Sequence, residues 1–198
     1  MDALYPRRCP VCGEIVTPKG GLICPSCLLR LSPVKSPVCQ KCGKEVWSEE
    51  IEYCPDCVKH RRSFARGMAL FNYTEEAARS MAAVKYKNKR EYLDFYGAAL
   101  AARYEKQIRR MHADALVPVP VHPSRKRARG FNQAEVLAVC LRKRLGIPVG
   151  SGMLIRDKKT KPQKELSAAD RLKNLSGAFR AGTIPEGIKT VLLVDDIY

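Results

Sequence analysis

Cys9, Cys12, Cys24, Cys27, Cys39, Cys42, Cys54 and Cys57 form four Cys-x-x-Cys knuckles, with eleven residues between each pair and the next. Each knuckle can present two thiolates to one ion. A structural zinc takes four ligands tetrahedrally, so eight thiolates suit two closed sites. Gly13 follows Cys12 and Gly43 follows Cys42, whereas Leu28 and Val58 follow the other two knuckles, so the unit repeats every 30 residues rather than every 15. A glycine there lets the backbone turn tightly around the metal. This reading assigns Cys9, Cys12, Cys24 and Cys27 to one zinc and Cys39, Cys42, Cys54 and Cys57 to a second. The alternative is an interleaved arrangement of the same knuckles.

Four protein thiolates leave no coordination position open, which argues against a catalytic zinc and for one that holds the fold. So few apolar residues separate the knuckles that metal binding must substitute for a core, and the segment is expected to unfold without it. The ninth cysteine, Cys140, stands in a helical pattern and reads as a small buried hydrophobe.

A second constellation lies at the far end of the chain. Asp195 and Asp196 directly follow the apolar run Val191-Leu192-Leu193-Val194. In open parallel sheets ligands bind beyond the carboxyl ends of the strands. Two adjacent carboxylates there can accept hydrogen bonds from a ribose diol and help to hold a hydrated Mg²⁺, although acidic turn residues after a strand are also common without a ligand.

The run from Val191 to Tyr198 resembles the start of the phosphoribosyl pyrophosphate motif of type I phosphoribosyltransferases. More specifically, the chain resembles the ComF family, competence-associated proteins that join a double zinc ribbon to a phosphoribosyltransferase-like domain. The resemblance covers the knuckles, Val84-Lys85-Tyr86, Val117-Pro118-Val119-Pro120, Arg129-Gly130-Phe131-Asn132-Gln133, Thr160-Lys161-Pro162-Gln163 with Arg171 and Asn174, and the terminal carboxylates. It implies an α/β fold, a parallel sheet flanked by helices and preceded by the zinc module. It also implies a site for phosphoribosyl pyrophosphate or a related sugar phosphate, with Mg²⁺. Asp195 and Asp196 would hold ribose and metal. Arg129, Asn132 and Gln133 would lie on the pyrophosphate side, and Lys158, Lys161 and Gln163 on a mobile lid. Lys85 is either a support for this site or a solvated lysine. The activity implied is glycosyl transfer, a phosphoribosyltransferase acting mainly by positioning and charge neutralisation. The Thr-Thr-Gly loop that follows the motif in such enzymes is absent before Tyr198, so the site is expected to be incomplete and the chain inactive and poorly stable.

The elements that must position these groups follow from periodicity. Residues 1–60 read as the double zinc ribbon and residues 61–198 as the larger domain. Met68–Tyr73 is a candidate strand. Thr74 with Glu75 and Glu76 opens a helix carrying Ala77, Met81 and Val84 on one face. A second helix is expected from Tyr92 to Lys106, and a buried strand through Val117 turning into a loop. A further helix starts near Asn132, has Phe131, Ala134, Leu137, Ala138, Leu141 and Leu145 on one face, and stops at Gly146. Short strands are expected at Ile147–Val149 and Met153–Ile155. A basic loop from Arg156 to Lys164, a helix through Asn174 and a strand from Thr190 to Val194 complete the pattern.

Charge separates the two parts. Residues 1–60 carry eight basic and seven acidic side chains, leaving 28 against 13, a net +15, in residues 61–198. That field favours a phosphorylated small molecule or nucleic acid, so single-stranded DNA, with DNA-uptake proteins, is the rival partner. No apolar run is long enough for a membrane span and no signal peptide is evident, so the expected location is the cytoplasm, where thiols stay reduced.

Overall fold

The computed structural model describes residues 6–60, 62–158 and 177–197. The chain divides into two compact units, Met1–Ala83 with Ile197–Tyr198, and Val84–Asp196.

The first unit is built twice from the same 30-residue plan. In each ribbon the first knuckle is a tight turn. Gly13 N–H donates to the Cys9 carbonyl at 3.0 Å and Gly43 N–H to the Cys39 carbonyl at 2.9 Å. Both glycines are left-handed, with φ of +80° and +76°, where any side chain would be strained. A single antiparallel bridge closes each turn, Arg8 with Ile15 and Val38 with Glu45. The second knuckle of each ribbon starts a short helix, α1 (Pro25–Leu28) or α2 (Pro55–Lys59). Each has a proline in its first turn, where the missing N–H costs nothing. Apolar support is thin, as the sparse sequence requires. Val16 packs with Cys9 and Cys27 in one ribbon, and Val46 with Cys39, Cys42 and Cys54 in the other.

Residues 62–73 run alongside the second ribbon. Gly67 N–H donates to the Lys41 carbonyl at 2.7 Å, Val34 N–H to Leu70 at 3.1 Å and Asn72 N–H to Ser32 at 2.8 Å. The segment expected as a strand thus contributes one isolated bridge, Phe71 with Pro33. Pro33 has no N–H to extend a ladder.

Helix α3 (Glu75–Tyr86) has both glutamates in its first turn and buries Ala77, Met81 and Val84. In the second unit, α4 (Tyr92–Arg110) lies against α6 (Gln133–Leu145). A Cβ on Gly97 would come within 2.6 Å of Cys140 Cβ, so only glycine permits this close approach. Cys140 is buried there and its thiol donates to Asp94 Oδ1 at 3.2 Å. Burial, then the Asp94 carboxylate, pushes this thiol up to about 11, leaving it inert as a nucleophile.

Strand β1 (Ala115–Pro118) is wholly buried. It pairs in parallel with β4 (Val191–Val194), with Ala115 opposite Val191 and Pro118 opposite Val194. On its other side β1 meets Val149 in one parallel bridge. Leu116 N–H donates to the Pro148 carbonyl and Gly150 N–H to the Leu116 carbonyl, each at 2.8 Å. Pro148 cannot donate, which holds the expected strand at 147–149 to that bridge. A separate antiparallel pair joins β2 (Leu154–Arg156) to β3 (Phe179–Ala181). The architecture is mixed α/β, with a small parallel sheet and an N-terminal double zinc ribbon. Helix α5 (Pro123–Arg129) occupies a stretch the sequence suggests is loop. Its residues are nearly all polar and show no apolar period, but its ends carry signals. Pro123 is the first residue, His122 Nδ1 accepts from Ser124 N–H at 3.2 Å, and Gly130 turns left-handed at the C-terminus. No described helix is long and apolar enough to cross a membrane.

Candidate metal centres and carboxylate site

The eight thiols gather into two clusters, Cys9, Cys12, Cys24 and Cys27, and Cys39, Cys42, Cys54 and Cys57, with the sulfurs of each within 4.8 Å of one another. The sequential pairing therefore holds over the interleaved one. A tetrahedral site with Zn–S near 2.3 Å separates its sulfurs by about 3.8 Å, and Cys42 Sγ stands 3.6 Å from Cys54 Sγ. Donor type, number and spacing all fit zinc, and both sites are closed.

The electrostatics of each cluster suit a cation. Burial opposes ionisation of Cys9, but backbone N–H groups of Cys24, Cys12 and Val11 outweigh it and bring the thiol down to about 7. Cys39 falls to about 6 in the same way, burial opposing and the backbone of Cys42, Cys54 and Lys41 prevailing. Their neighbours move in the opposite sense. Cys27 rises to about 11 through burial and the nearby Cys12 and Cys9, and Cys42 rises further still, burial again leading. Without metal the raised thiols stay protonated, and full ionisation of all four at this spacing needs a divalent ion among them. The clusters differ in cover: Cys12 is exposed and Cys42 is buried.

The second site lies at the carboxyl ends of β1 and β4. Val119 N–H donates to the Val194 carbonyl at 2.9 Å, so the chain leaving β1 stays beside the end of β4. Asn132 Nδ2 donates to the Val119 carbonyl at 3.1 Å, while its Oδ1 caps α6 by accepting from Ala134 N–H at 3.1 Å. One buried asparagine thereby fixes the helix N-terminus against the strand end. Gln133 Nε2 donates to Asp196 Oδ1 at 2.9 Å, and Arg129 donates to Gln133 Oε1. Lys85, from the last turn of α3, forms an ion pair with Asp196. Asp195 Oδ1 accepts from Asp196 N–H at 2.8 Å.

The structure thus brings Asp195, Asp196, Arg129, Asn132 and Gln133 together. Lys158 is an exposed residue just beyond β2, and Lys161, Gln163, Arg171 and Asn174 lie outside the described residues. Two arginines of α5 and one of β2 complete the surroundings. Arg125 lies within electrostatic range of both Arg129 and Arg156, and Asp195 within range of Arg156. Burial lowers Arg129 and Arg156 from the usual guanidinium value, while Asp196 and Asp195 respectively favour their charge. Crowding by protein, then the Asp196 charge, pushes Asp195 up to about 7, against the pull of Lys85.

Residues 1–58 match the double zinc ribbon domain family. Competence protein F of Haemophilus influenzae is 30% identical over 204 residues, covering 100% of this chain and 87% of its own length. The chain belongs to the competence protein F (ComF) family. Competence protein ComFC of Bacillus subtilis is 24% identical over 89% of this chain and 72% of its own. The DNA utilization protein YhgH of Escherichia coli K12 is 26% identical over 88% and 77% respectively. No solved structure matches the chain.

Among the groups of this ComF chain that the sequence leaves unassigned or ambiguous, Lys85 and Arg156 matter most. Lys85 follows Val84 on the α3 face and so could be placed near the core boundary from periodicity alone. Its partner could not, because Asp196 is far away in sequence. Arg156 looked like the start of a basic loop, yet it ends β2 over the Phe179 ring, 5.1 Å from its centroid.

Proposed function

We propose that this ComF protein binds Mg²⁺-phosphoribosyl pyrophosphate, or a closely related sugar phosphate, at the carboxyl ends of β1 and β4, on a phosphoribosyltransferase-like fold serving competence and DNA uptake. One observation carries the reading: two carboxylates at the end of a parallel strand lie within electrostatic range of arginines from α5 and β2. A parallel-strand end is where such sheets bind ligands, and a carboxylate beside guanidinium groups suits a molecule with both a diol and phosphates.

Asp195 offers oxygen donors of the kind a hard cation takes, so Asp195, supported by Asp196, would hold Mg²⁺. Bound there, the ion would neutralise charge on the pyrophosphate. The chain's own groups do the rest. Asp195 accepts from ribose hydroxyls, and Arg125, Arg129 and Arg156 attract the pyrophosphate oxygens and stabilise the charge that develops if it departs. Asn132 keeps the α6 N-terminus, the positive end of the helix dipole, against the same strand end. Calorimetric titration of the full-length protein with Mg²⁺-phosphoribosyl pyrophosphate tests this. Binding that needs Mg²⁺ and disappears in Asp195→Asn, Asp196→Asn supports it; absence of binding by intact, zinc-loaded protein rejects it.

The net +15 of residues 61–198 and the relatives' names in competence and DNA utilization favour a second reading, a non-catalytic single-stranded DNA-binding accessory protein. DNA affinity would then fall steeply with salt and survive loss of Asp195, whereas sugar-phosphate binding would follow the carboxylates.

A further inference from the structure

The two carboxylates that end β4 sit in different environments. The Asp196 side chain is 3% accessible, with Oδ1 hydrogen-bonded by Gln133 Nε2 at 2.9 Å and Oδ2 in an ion pair with Lys85. Gln133 is itself held by Arg129, so Asp196 stands at the end of a chain of contacts drawn from α3, α5 and α6. Asp195 keeps exposed surface as a residue although neighbouring protein crowds its carboxyl, and its described hydrogen-bond partner is the adjoining Asp196 N–H. A carboxylate buried this far, with an ammonium against one oxygen and an amide on the other, presents little surface to a hydrated cation or a diol. Removing its ammonium would leave an uncompensated buried charge beside Asp195.

We infer that Lys85 is a positioning residue: it neutralises and fixes Asp196 as the inner carboxylate, and so leaves Asp195 as the one that meets the sugar phosphate and its cation. This rests on the sugar-phosphate reading above and divides a motif whose two acids look equivalent in sequence. Lys85 acts through Asp196, whose N–H in turn orients Asp195 Oδ1. The opposite arrangement, in which Lys85 competes with the ligand for Asp196, would make removal of the lysine tighten binding.

Calorimetry with Mg²⁺-phosphoribosyl pyrophosphate on the full-length, zinc-loaded protein decides the matter, using Lys85→Met, Lys85→Arg, Asp195→Asn, Asp196→Asn and the Lys85→Met, Asp196→Asn double variant. Asp195→Asn should abolish binding. Lys85→Met should weaken it about 10–100-fold, the usual cost of losing a group that orients a ligand-binding residue. Lys85→Arg should restore most of that loss. The double variant should bind no more weakly than Asp196→Asn alone, because a lysine acting only through Asp196 has nothing left to hold. Loss of packing would show neither the arginine rescue nor this non-additivity. Binding by Lys85→Met equal to or tighter than the parent overturns the inference, as does a protein that keeps binding in Asp195→Asn and loses it in Asp196→Asn. If the parent protein itself does not bind, the sugar-phosphate reading fails and takes this with it. A parent that binds while Lys85→Met is indifferent sinks the inference alone.

Discussion

Gly43 and Gly67 pack backbone to backbone. A Cβ on Gly43 would lie 2.7 Å from the Gly67 carbonyl oxygen, and one on Gly67 would lie 2.8 Å from the Cys42 carbonyl oxygen. Gly13, the equivalent of Gly43 in the first ribbon, would meet nothing within 4 Å among the described residues. Gly13→Ala should therefore cost only the left-handed backbone penalty, roughly 1–2 kcal/mol. Gly43→Ala should cost visibly more, since backbone must shift as well. Thermal unfolding of the two zinc-loaded variants compares them directly, and equal melting temperatures would contradict the close approach.

Zinc analysis should return about two ions per chain, four cysteines being needed for each. Cys9→Ser and Cys39→Ser should each bring the value to about one. Complete chelation should unfold the first unit, seen as loss of dispersed amide resonances from residues 6–60; retention of those resonances in metal-free protein would refute a metal-held fold.

The elevated Asp195 carboxyl sets a pH dependence. Its folded value near 7 lies above the ordinary value of about 3.9. Below about pH 4 the group is protonated in both states and costs nothing. Between about 4 and 7 the folded protein holds a proton that the unfolded chain releases, so stability falls as pH rises, and above 7 the full penalty stays. Asp195→Asn should thus raise the melting temperature at pH 8 relative to the parent, with the difference shrinking toward pH 5. A difference independent of pH would show that the carboxyl is not displaced.

Asn132→Ala removes a helix cap and the donor to the Val119 carbonyl together. The cap alone is worth about 0.5–2 kcal/mol. Chemical denaturation should show a loss at the upper end of that range, because the strand-end carbonyl also loses its partner. A loss of a few tenths would mean that solvent replaces both bonds.

Much of this arrangement could be read from the sequence because its signals are local. A Cys-x-x-Cys-Gly knuckle states its turn and its ligands within five residues, and α6 announces both ends through Asn132 and Gly146. Where the reading failed, the deciding contact was distant or the pattern silent. Helix α5 has no apolar period, so only its caps reveal it. Residues 68–73 and 147–149 have strand-like composition, but Pro33 and Pro148 cannot extend a ladder, and each segment is left with one bridge. Likewise, nothing local in Asp195-Asp196 says that one acid is buried under a lysine from α3 and the other is not.

The unequal cover of Cys12 and Cys42 should make the first unit come apart in order. A chelator or an oxidant reaches an exposed thiolate before a buried one. The ribbon of Cys12 should release its ion first, giving a half-loaded species in which the ribbon of Cys42, closed over by Gly67, remains intact. Built from one repeated plan, the two ribbons would then respond to metal scarcity or oxidative stress at different thresholds, the first as the early casualty and the second as the reserve.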